Sequence, residues 1–246
     1  MKSIVNMRRD ELLDLSPDAD VALGKDELLH IFKTFNAFWA YDNEAAEAGR
    51  VGMHAELKSG LCSNGFFYSK IVLDHPSLRW IIASNLVRQY QLKELVKPDY
   101  VAGIPKGAKK LGQDVAEIFG VKNLDLIKDP EGRIKVAGSE NIKAGSTLLL
   151  VEDFTSTGTG FKETVIEIKG RYAHLNILPV ELVILNRGDI EYIPVGEYGL
   201  FDILALVNHR IDSWIEEDCP LCEKGSKRIK PKSSEQNWEL LVNSQN

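Results

Sequence analysis

The ten residues from Val151 to Gly160, Val-Glu-Asp-Phe-Thr-Ser-Thr-Gly-Thr-Gly, carry the densest chemistry in the chain. The apolar run Ser146 to Leu150 before them reads as a fully buried strand, and Phe161 to Gly170 after them repeats apolar residues at helical spacing. The segment therefore reads as a strand, a tight Thr/Gly turn and a helix N-terminus. Small residues at such a turn let several backbone N–H groups point into one concavity, and the helix dipole adds partial positive charge there. A phosphate monoester fits that setting, with the hydroxyls of Thr155, Ser156, Thr157 and Thr159 as further donors beside Gly158 and Gly160. Glu152 and Asp153, at the strand's carboxyl end, suit the cis-diol of a ribose, or a Mg²⁺ ion held through water. The competing reading is an ordinary strand-to-helix turn that happens to be rich in Thr.

Other turns carry charge in a comparable setting. Asp99 to Ile104 reads as a short buried strand, runs into Gly103-Ile104-Pro105-Lys106-Gly107, and gives way to helical periodicity from Ala108 to Phe119. This second strand–turn–helix has a lysine, Lys106, at its turn. Downstream of the acidic pair, the apolar run Val180 to Asn186 ends in Asn186-Arg187-Gly188. Nearer the N-terminus, Glu56-Leu57-Lys58-Ser59-Gly60 is followed after a short polar turn by Phe66-Phe67-Tyr68. Taken singly, these read equally well as solvated charges and core aromatics.

Taken together they carry a resemblance. The string from Val151 to Gly160 resembles the phosphoribosyl-diphosphate (PRPP) motif of the type I phosphoribosyltransferases. Lys58-Ser59-Gly60 with its paired aromatics resembles the N-terminal hood of orotate phosphoribosyltransferases, whose Lys-Gly turn Lys106-Gly107 also matches. The similarity runs from about His54 to Glu216. It implies an α/β chain of the type I phosphoribosyltransferase fold: a mainly parallel twisted sheet flanked by helices, an N-terminal hood and a short C-terminal tail. The implied activity is transfer of the phosphoribosyl group of PRPP to a nucleobase, with orotate, giving orotidine 5′-monophosphate and diphosphate, as the leading expectation. Transfer to another base, and a non-catalytic PRPP or nucleotide sensor, are the alternatives.

Carried across, the resemblance gives each residue a role. Lys58 and Lys106, with Gly107 in the same turn, contact the diphosphate. Glu152 and Asp153 hold the ribose hydroxyls, and the turn Thr155 to Gly160 holds the 5′-phosphate. Phe66 or Phe67 stacks on the planar base, and Arg187 faces the base carboxylate, with which a planar guanidinium pairs bidentately. Mg²⁺ accompanies the diphosphate, within reach of Asp153. The family's members are dimers, so a homodimer is expected. One segment departs from the pattern: the orotate enzymes insert a mobile, basic catalytic loop with a His-Gly. This chain offers only Lys128, Arg133 and Lys135 around the turn Asp129-Pro130-Glu131-Gly132. Lys128 or Arg133 stands in for that loop in part, or the segment is a hairpin of solvated basic residues. Asp153, Glu152, Lys106 and Lys128 are the catalytic candidates.

The elements that must position these residues divide the chain into a helical region and hood (residues 1–95), a core (96–216) and a tail (217–246). Helices are expected over Lys25 to Tyr41, Pro76 to Leu95 and His209 to Glu216, and strands over Val121 to Lys128 and Phe201 to Asn208. Asn43 to Gly52 reads as a loop or a surface helix. In the tail, Cys219-Pro220-Leu221-Cys222 offers two of the four ligands of a structural Zn²⁺ site. His209 and Cys62, or a second copy across a dimer, are the visible sources of the rest; free thiols or simple packing are the favoured reading. The basic run Lys224 to Lys232 reads as a solvated, partly disordered end.

Composition bounds the partners. The 246 residues are 44% hydrophobic with a formal net charge of −6, which gives no electrostatic reason to expect nucleic acid or a membrane surface. No apolar run approaches the roughly 18 residues of a membrane span. The N-terminus, with Arg8, Arg9, Asp10 and Glu11 early, lacks the form of a signal peptide. Three cysteines make no disulfide framework, so a reducing cytoplasm is expected.

Overall fold

A computed structural model of the chain describes residues 3–138 and 141–246. The N-terminal part runs through α1 (Arg9–Leu13), α2 (Lys25–Thr34), β1 (Phe38–Ala40), α3 (Asn43–Glu47), β2 (Met53–Glu56), β3 (Cys62–Ser63), β4 (Gly65–Phe67), α4 (Ser69–Leu73) and α5 (Pro76–Leu92). The middle continues with β5 (Tyr100–Gly103), α6 (Lys109–Phe119), β6 (Lys122–Asn123), β7 (Leu126–Lys128), β8 (Ile134–Val136), β9 (Thr147–Thr155), α7 (Thr159–Arg171), β10 (Asn176–Asn186), β11 (Tyr192–Pro194) and β12 (Leu200–Asn208). The last part holds β13 (Ser213–Trp214), α8 (Pro220–Glu223), β14 (Lys227–Ile229) and α9 (Glu235–Asn243).

The main sheet has the order β11-β12-β10-β9-β5-β6 and is parallel except at β11. Its central strands are apolar on both faces because both are covered. Along β9, Leu149 and Val151 enter one core with α2, α5 and α6, while Leu148 and Leu150 enter the other with α7 and the β7–β8 hairpin. Val101 and Ala102 of β5 divide the same way. That two-residue period is the strand pleat read out as two cores. Each large apolar side chain taken from water contributes about 1.5–3 kcal/mol. Beside this body stands a smaller sheet of order β13-β3-β2-β14, so the hood strands and the C-terminal segment share one sheet. Among the described residues no helix is long and apolar enough to cross a membrane.

Several expectations are corrected. The helix from Lys25 stops at Thr34, because Asn36 turns to a positive φ of 50° and the chain re-emerges as β1, paired antiparallel with β4. The strand expected over Val121 to Lys128 is split: β6 belongs to the main sheet, whereas β7 pairs with β8. Asn43 to Glu47 is helical, with the Asp42 carboxylate accepting from the Ala45 N–H at its cap. His209 to Glu216 is not a helix. Its polar groups are taken by tertiary partners instead: the His209 N–H donates to Asn186 O, Ile211 to Arg187 O, and Asp212 exchanges hydrogen bonds with Asn64. The tail is built into the fold rather than partly disordered, since β14 pairs in parallel with β2 and α9 buries Trp238 and Leu241, although Lys224, Lys227, Lys230 and Lys232 remain exposed.

Candidate active site

The carboxyl ends of β5, β9 and β10 open into one cleft of about 800 Å³, where open α/β sheets present their ligands. Lys58, Phe66, Phe67, Lys106, Gly107, Lys128, Glu152, Asp153, the turn Thr155 to Gly160 and Arg187 all line it. Lys106, the acid pair with its turn, and Arg187 meet because three parallel strands end side by side; the hood adds Lys58, Phe66 and Phe67, and the β7–β8 hairpin adds Lys128.

The turns close on one another where side chains are missing. A Cβ on Gly107 would lie 2.1 Å from Asp153 Oδ2, so only glycine lets the Lys106 turn approach the acid so closely. The Pro105–Lys106 peptide bond in that turn is cis. Gly158 has φ +67° at the start of α7, and a Cβ there would strike Ile193 at 2.6 Å. Small residues therefore bring the first turn of a 13-residue helix, with its partial positive charge, to the cleft. The Thr157 and Thr159 hydroxyl oxygens stand 2.9 Å apart on that turn.

β9 extends through both acids, so Glu152 and Asp153 project from rigid strand rather than from the turn. Burial, then the neighbouring Glu181 carboxyl, pushes Glu152 well above the usual carboxylate range. Glu181, on β10, is fully buried and raised by the same desolvation. Neither Glu181 oxygen, nor the Thr155 hydroxyl, nor Arg187 Nε has a hydrogen-bond partner among the described residues. Burial lowers the Arg187 guanidinium, while Asp153 and then Glu152 act in the opposite direction. A half-buried guanidinium whose Nε is shielded from solvent and unused is a ready partner for a carboxylate.

The short basic segment is a docked hairpin. Arg133 is engaged by Asp129 at 2.8 Å and Glu131 at 3.0 Å, and Lys135 pairs with Glu167 of α7 at 2.6 Å. Of the three basic residues, Lys128 alone lines the cleft. The aromatic pair lies deeper than an open stacking platform would. Phe67 is 1% exposed and stacks on Phe38 at 4.2 Å, with Phe154 and Phe32 also against it.

Two cations in the cleft were not anticipated: Lys230 and Lys232. β14 delivers them. Lys230 Nζ lies 3.3 Å from Glu56 Oε1, and Lys232 Nζ stands over the rings of Phe66 at 5.4 Å and Tyr68 at 5.3 Å. Burial lowers Lys232, while Asp153 holds it up. Glu181 was also missed, although one acid inside an apolar strand run is itself a signal, because burying a carboxylate is costly. The cysteines converge elsewhere. Cys62 does join Cys219 and Cys222, but the histidine with them is His54; His209 packs against Phe38 and Phe67 instead.

No family model matches the chain. It is 27% identical over 211 residues to an orotate phosphoribosyltransferase of Caldicellulosiruptor bescii, covering 86% of this chain and 98% of that protein. It is 26% identical over 212 residues to the orotate phosphoribosyltransferase of Heliobacterium modesticaldum, covering 86% and 99%. Among solved structures, orotate phosphoribosyltransferase from Aeropyrum pernix superposes with a TM-score of 0.51 at 15% identity, over 74% of this chain and 93% of that one. The architecture is the type I phosphoribosyltransferase fold.

Proposed function

We propose that this chain, an orotate phosphoribosyltransferase-like protein on the type I phosphoribosyltransferase fold, transfers the phosphoribosyl group of PRPP to orotate. Orotidine 5′-monophosphate and diphosphate are the products. The observation that carries this reading is the half-buried Arg187, its Nε without a partner among the described residues, in the same cleft as the acid pair and the Thr/Gly turn. An acidic base, a ribose and a phosphate each have a partner there.

In the transfer, the bond between ribose C1 and the diphosphate oxygen breaks, its electrons leave with diphosphate, and a base nitrogen bonds to C1 as its N–H proton passes to the departing diphosphate or to water. The ribose carries oxocarbenium-like positive charge in between, so the protein's work is positioning and charge stabilisation. Lys58 and Lys106 hold the diphosphate, and Lys128, fixed on its hairpin, faces the charge that develops on it. Asp153 and Glu152 hold the ribose hydroxyls, with Glu152 raised by burial and by Glu181. The turn Thr155 to Gly160 takes the 5′-phosphate. Arg187 holds the orotate carboxylate with Lys232 nearby, and Phe66 and Phe67 form the apolar wall beside the ring. The oxygen donors Glu152 and Asp153 in an open cleft fit Mg²⁺, which binds through carboxylates, substrate phosphates and retained water. Asp153 would hold it, and it would neutralise charge on the diphosphate. We further read the working form as a homodimer, as the resemblance implies.

The test is an absorbance assay with PRPP, Mg²⁺ and orotate, with uracil and purine bases in parallel. Orotate is expected to be consumed only when PRPP is present. Asp153→Asn should lose about 10²-fold or more in turnover with an unchanged thermal midpoint. Calorimetric binding of PRPP without turnover of any base would overturn the transferase reading and leave a sensor.

A further inference from the structure

Outside the cleft, the hood has a core of its own, built from Trp39, Tyr41, Phe66, Leu221, Trp238 and Leu241. Into it converge three sulfurs and one imidazole nitrogen. We propose that His54, Cys62, Cys219 and Cys222 form a tetrahedral Zn²⁺ site that fastens the C-terminal segment to the hood and so sets Lys230 and Lys232 in the cleft.

The spacing is the first argument. The four ligand atoms lie within 4.8 Å of one another. Cys62 Sγ is 3.7 Å from Cys222 Sγ, and His54 Nε2 is 3.5 Å from Cys222 Sγ and 3.8 Å from Cys219 Sγ. Zinc bonds of ordinary length to sulfur and nitrogen span tetrahedral edges of about 3.8 Å between sulfurs and about 3.6 Å between nitrogen and sulfur. Three of the six edges of a coordination tetrahedron are thus already at their bonded length, and the other three lie within 4.8 Å. Three thiolates and an imidazole complete a closed structural zinc set and disfavour the hard cations Mg²⁺ and Ca²⁺.

The histidine tautomer is the second argument. Ser226 Oγ donates its single proton to Gly52 O at 3.2 Å, so it can only accept from His54 Nδ1, 2.9 Å away. The proton of a neutral imidazole is thereby fixed on Nδ1, and the Nε2 lone pair faces the sulfurs. An outer partner that orients a ligand histidine in this way is a recurring part of zinc sites. Ser226 lies four residues after Cys222, in the same segment that would be clamped.

The consequence follows from the order of the chain. Cys219 and Cys222 flank the start of α8, and β14 comes next, its Arg228 opposite His54 and its Ile229 opposite Ala55 of β2. A short parallel strand on a small core is weakly held by itself. An ion bound to β2, β3 and α8 fixes the point from which β14 departs, and Lys230 and Lys232 follow within three residues. The metal site stands whether or not the cleft transfers phosphoribosyl groups.

The experiment uses the full chain, purified without a histidine tag under reducing conditions from zinc-supplemented cells. Elemental analysis should find one Zn²⁺ per chain. Exchange for Co²⁺ should give the intense visible bands of a tetrahedral ion and a thiolate-to-cobalt band in the near ultraviolet. Cys222→Ser and His54→Ala should each lose the stoichiometric ion, and the wild-type cobalt spectrum decides the matter if either variant fails to fold. Chelation should speed tryptic cleavage after Arg228 and Lys232 by about tenfold or more, as expected when a segment's anchoring ligand is withdrawn. A chain that holds substoichiometric zinc, a different metal at the site, an octahedral cobalt spectrum or a Cys62–Cys222 disulfide overturns the assignment. Cleavage unchanged by removal of the ion overturns the clamp.

Discussion

Glu152 and Glu181 show how much a single residue's surroundings alter its chemistry. Both are carboxyls on adjacent strands, and burial is the leading cause that raises each. A carboxyl raised in the folded state binds its proton more tightly there than in the unfolded chain. Its contribution to stability is therefore present below the unfolded value near 4.5 and is lost as pH rises through the folded value. Glu181→Gln should flatten that loss: between pH 5 and pH 8, urea unfolding should show wild type weakening more than the variant. Equal slopes would mean that burial does not raise Glu181. Arg187 belongs to the same scale. Arg187→Ala should raise the KM for orotate by ~10–100-fold, the worth of a charge-assisted pair, with a much smaller change for PRPP. Lys232→Ala should act in the same direction and less strongly. Equal effects on both substrates would take the base-reading role from Arg187.

At the scale of elements, the site depends on turns approaching one another more closely than side chains permit. The Lys106 turn follows β5 and Asp153 lies on β9; the two meet because residue 107 has no Cβ. Gly107→Ala should push the Asp153 carboxylate aside while leaving both main-sheet cores untouched. A displacement of about 1 Å at a reacting group costs on the order of 10²-fold in rate. Steady-state assay with a thermal melt in parallel tests this: activity should fall and the melting midpoint should hold. A fully active variant would mean that the acid need not sit against that turn. The β7–β8 hairpin belongs here as well. It is short and tied to α7 through Lys135 and Glu167, so Lys128 is held in place by packing.

The whole molecule carries a formal charge of −6, yet its cleft is lined by Lys58, Lys106, Lys128, Lys230, Lys232 and Arg187. Glu56, Asp129, Glu152, Asp153 and Glu163 line the same cleft, so its formal balance is slightly positive in a chain that is otherwise acidic, and that contrast draws a polyanion to one place. Raising ionic strength from roughly 0.05 to 0.5 M shortens the screening length from about 14 to about 4 Å and should raise the KM for PRPP several-fold. The effect on uncharged bases should be slight. A KM for PRPP indifferent to salt would contradict electrostatic capture.

The sequence alone determined the order of the strand–turn–helix units and the composition of the Thr/Gly turn. Both are written in contiguous residues: apolar runs buried on two faces, then Thr and Gly at a helix start. It also put Lys106, Asp153 and Arg187 at the ends of apolar runs, while Lys58 and Lys128 entered only through the resemblance to the orotate phosphoribosyltransferases. Tertiary structure decided the rest. Lys230 and Lys232 read as a solvated run until β14 pairs with β2, more than 170 residues away in sequence. His54 joins Cys62, Cys219 and Cys222 through the same pairing, whereas His209, nearer in sequence to the two tail cysteines, packs elsewhere. Glu181 acquires its role from the neighbouring strand. Local periodicity reports which face of an element is buried; it carries no information about which distant strand lies alongside, and that adjacency fixes the hood, the tail and the charge of the acid pair.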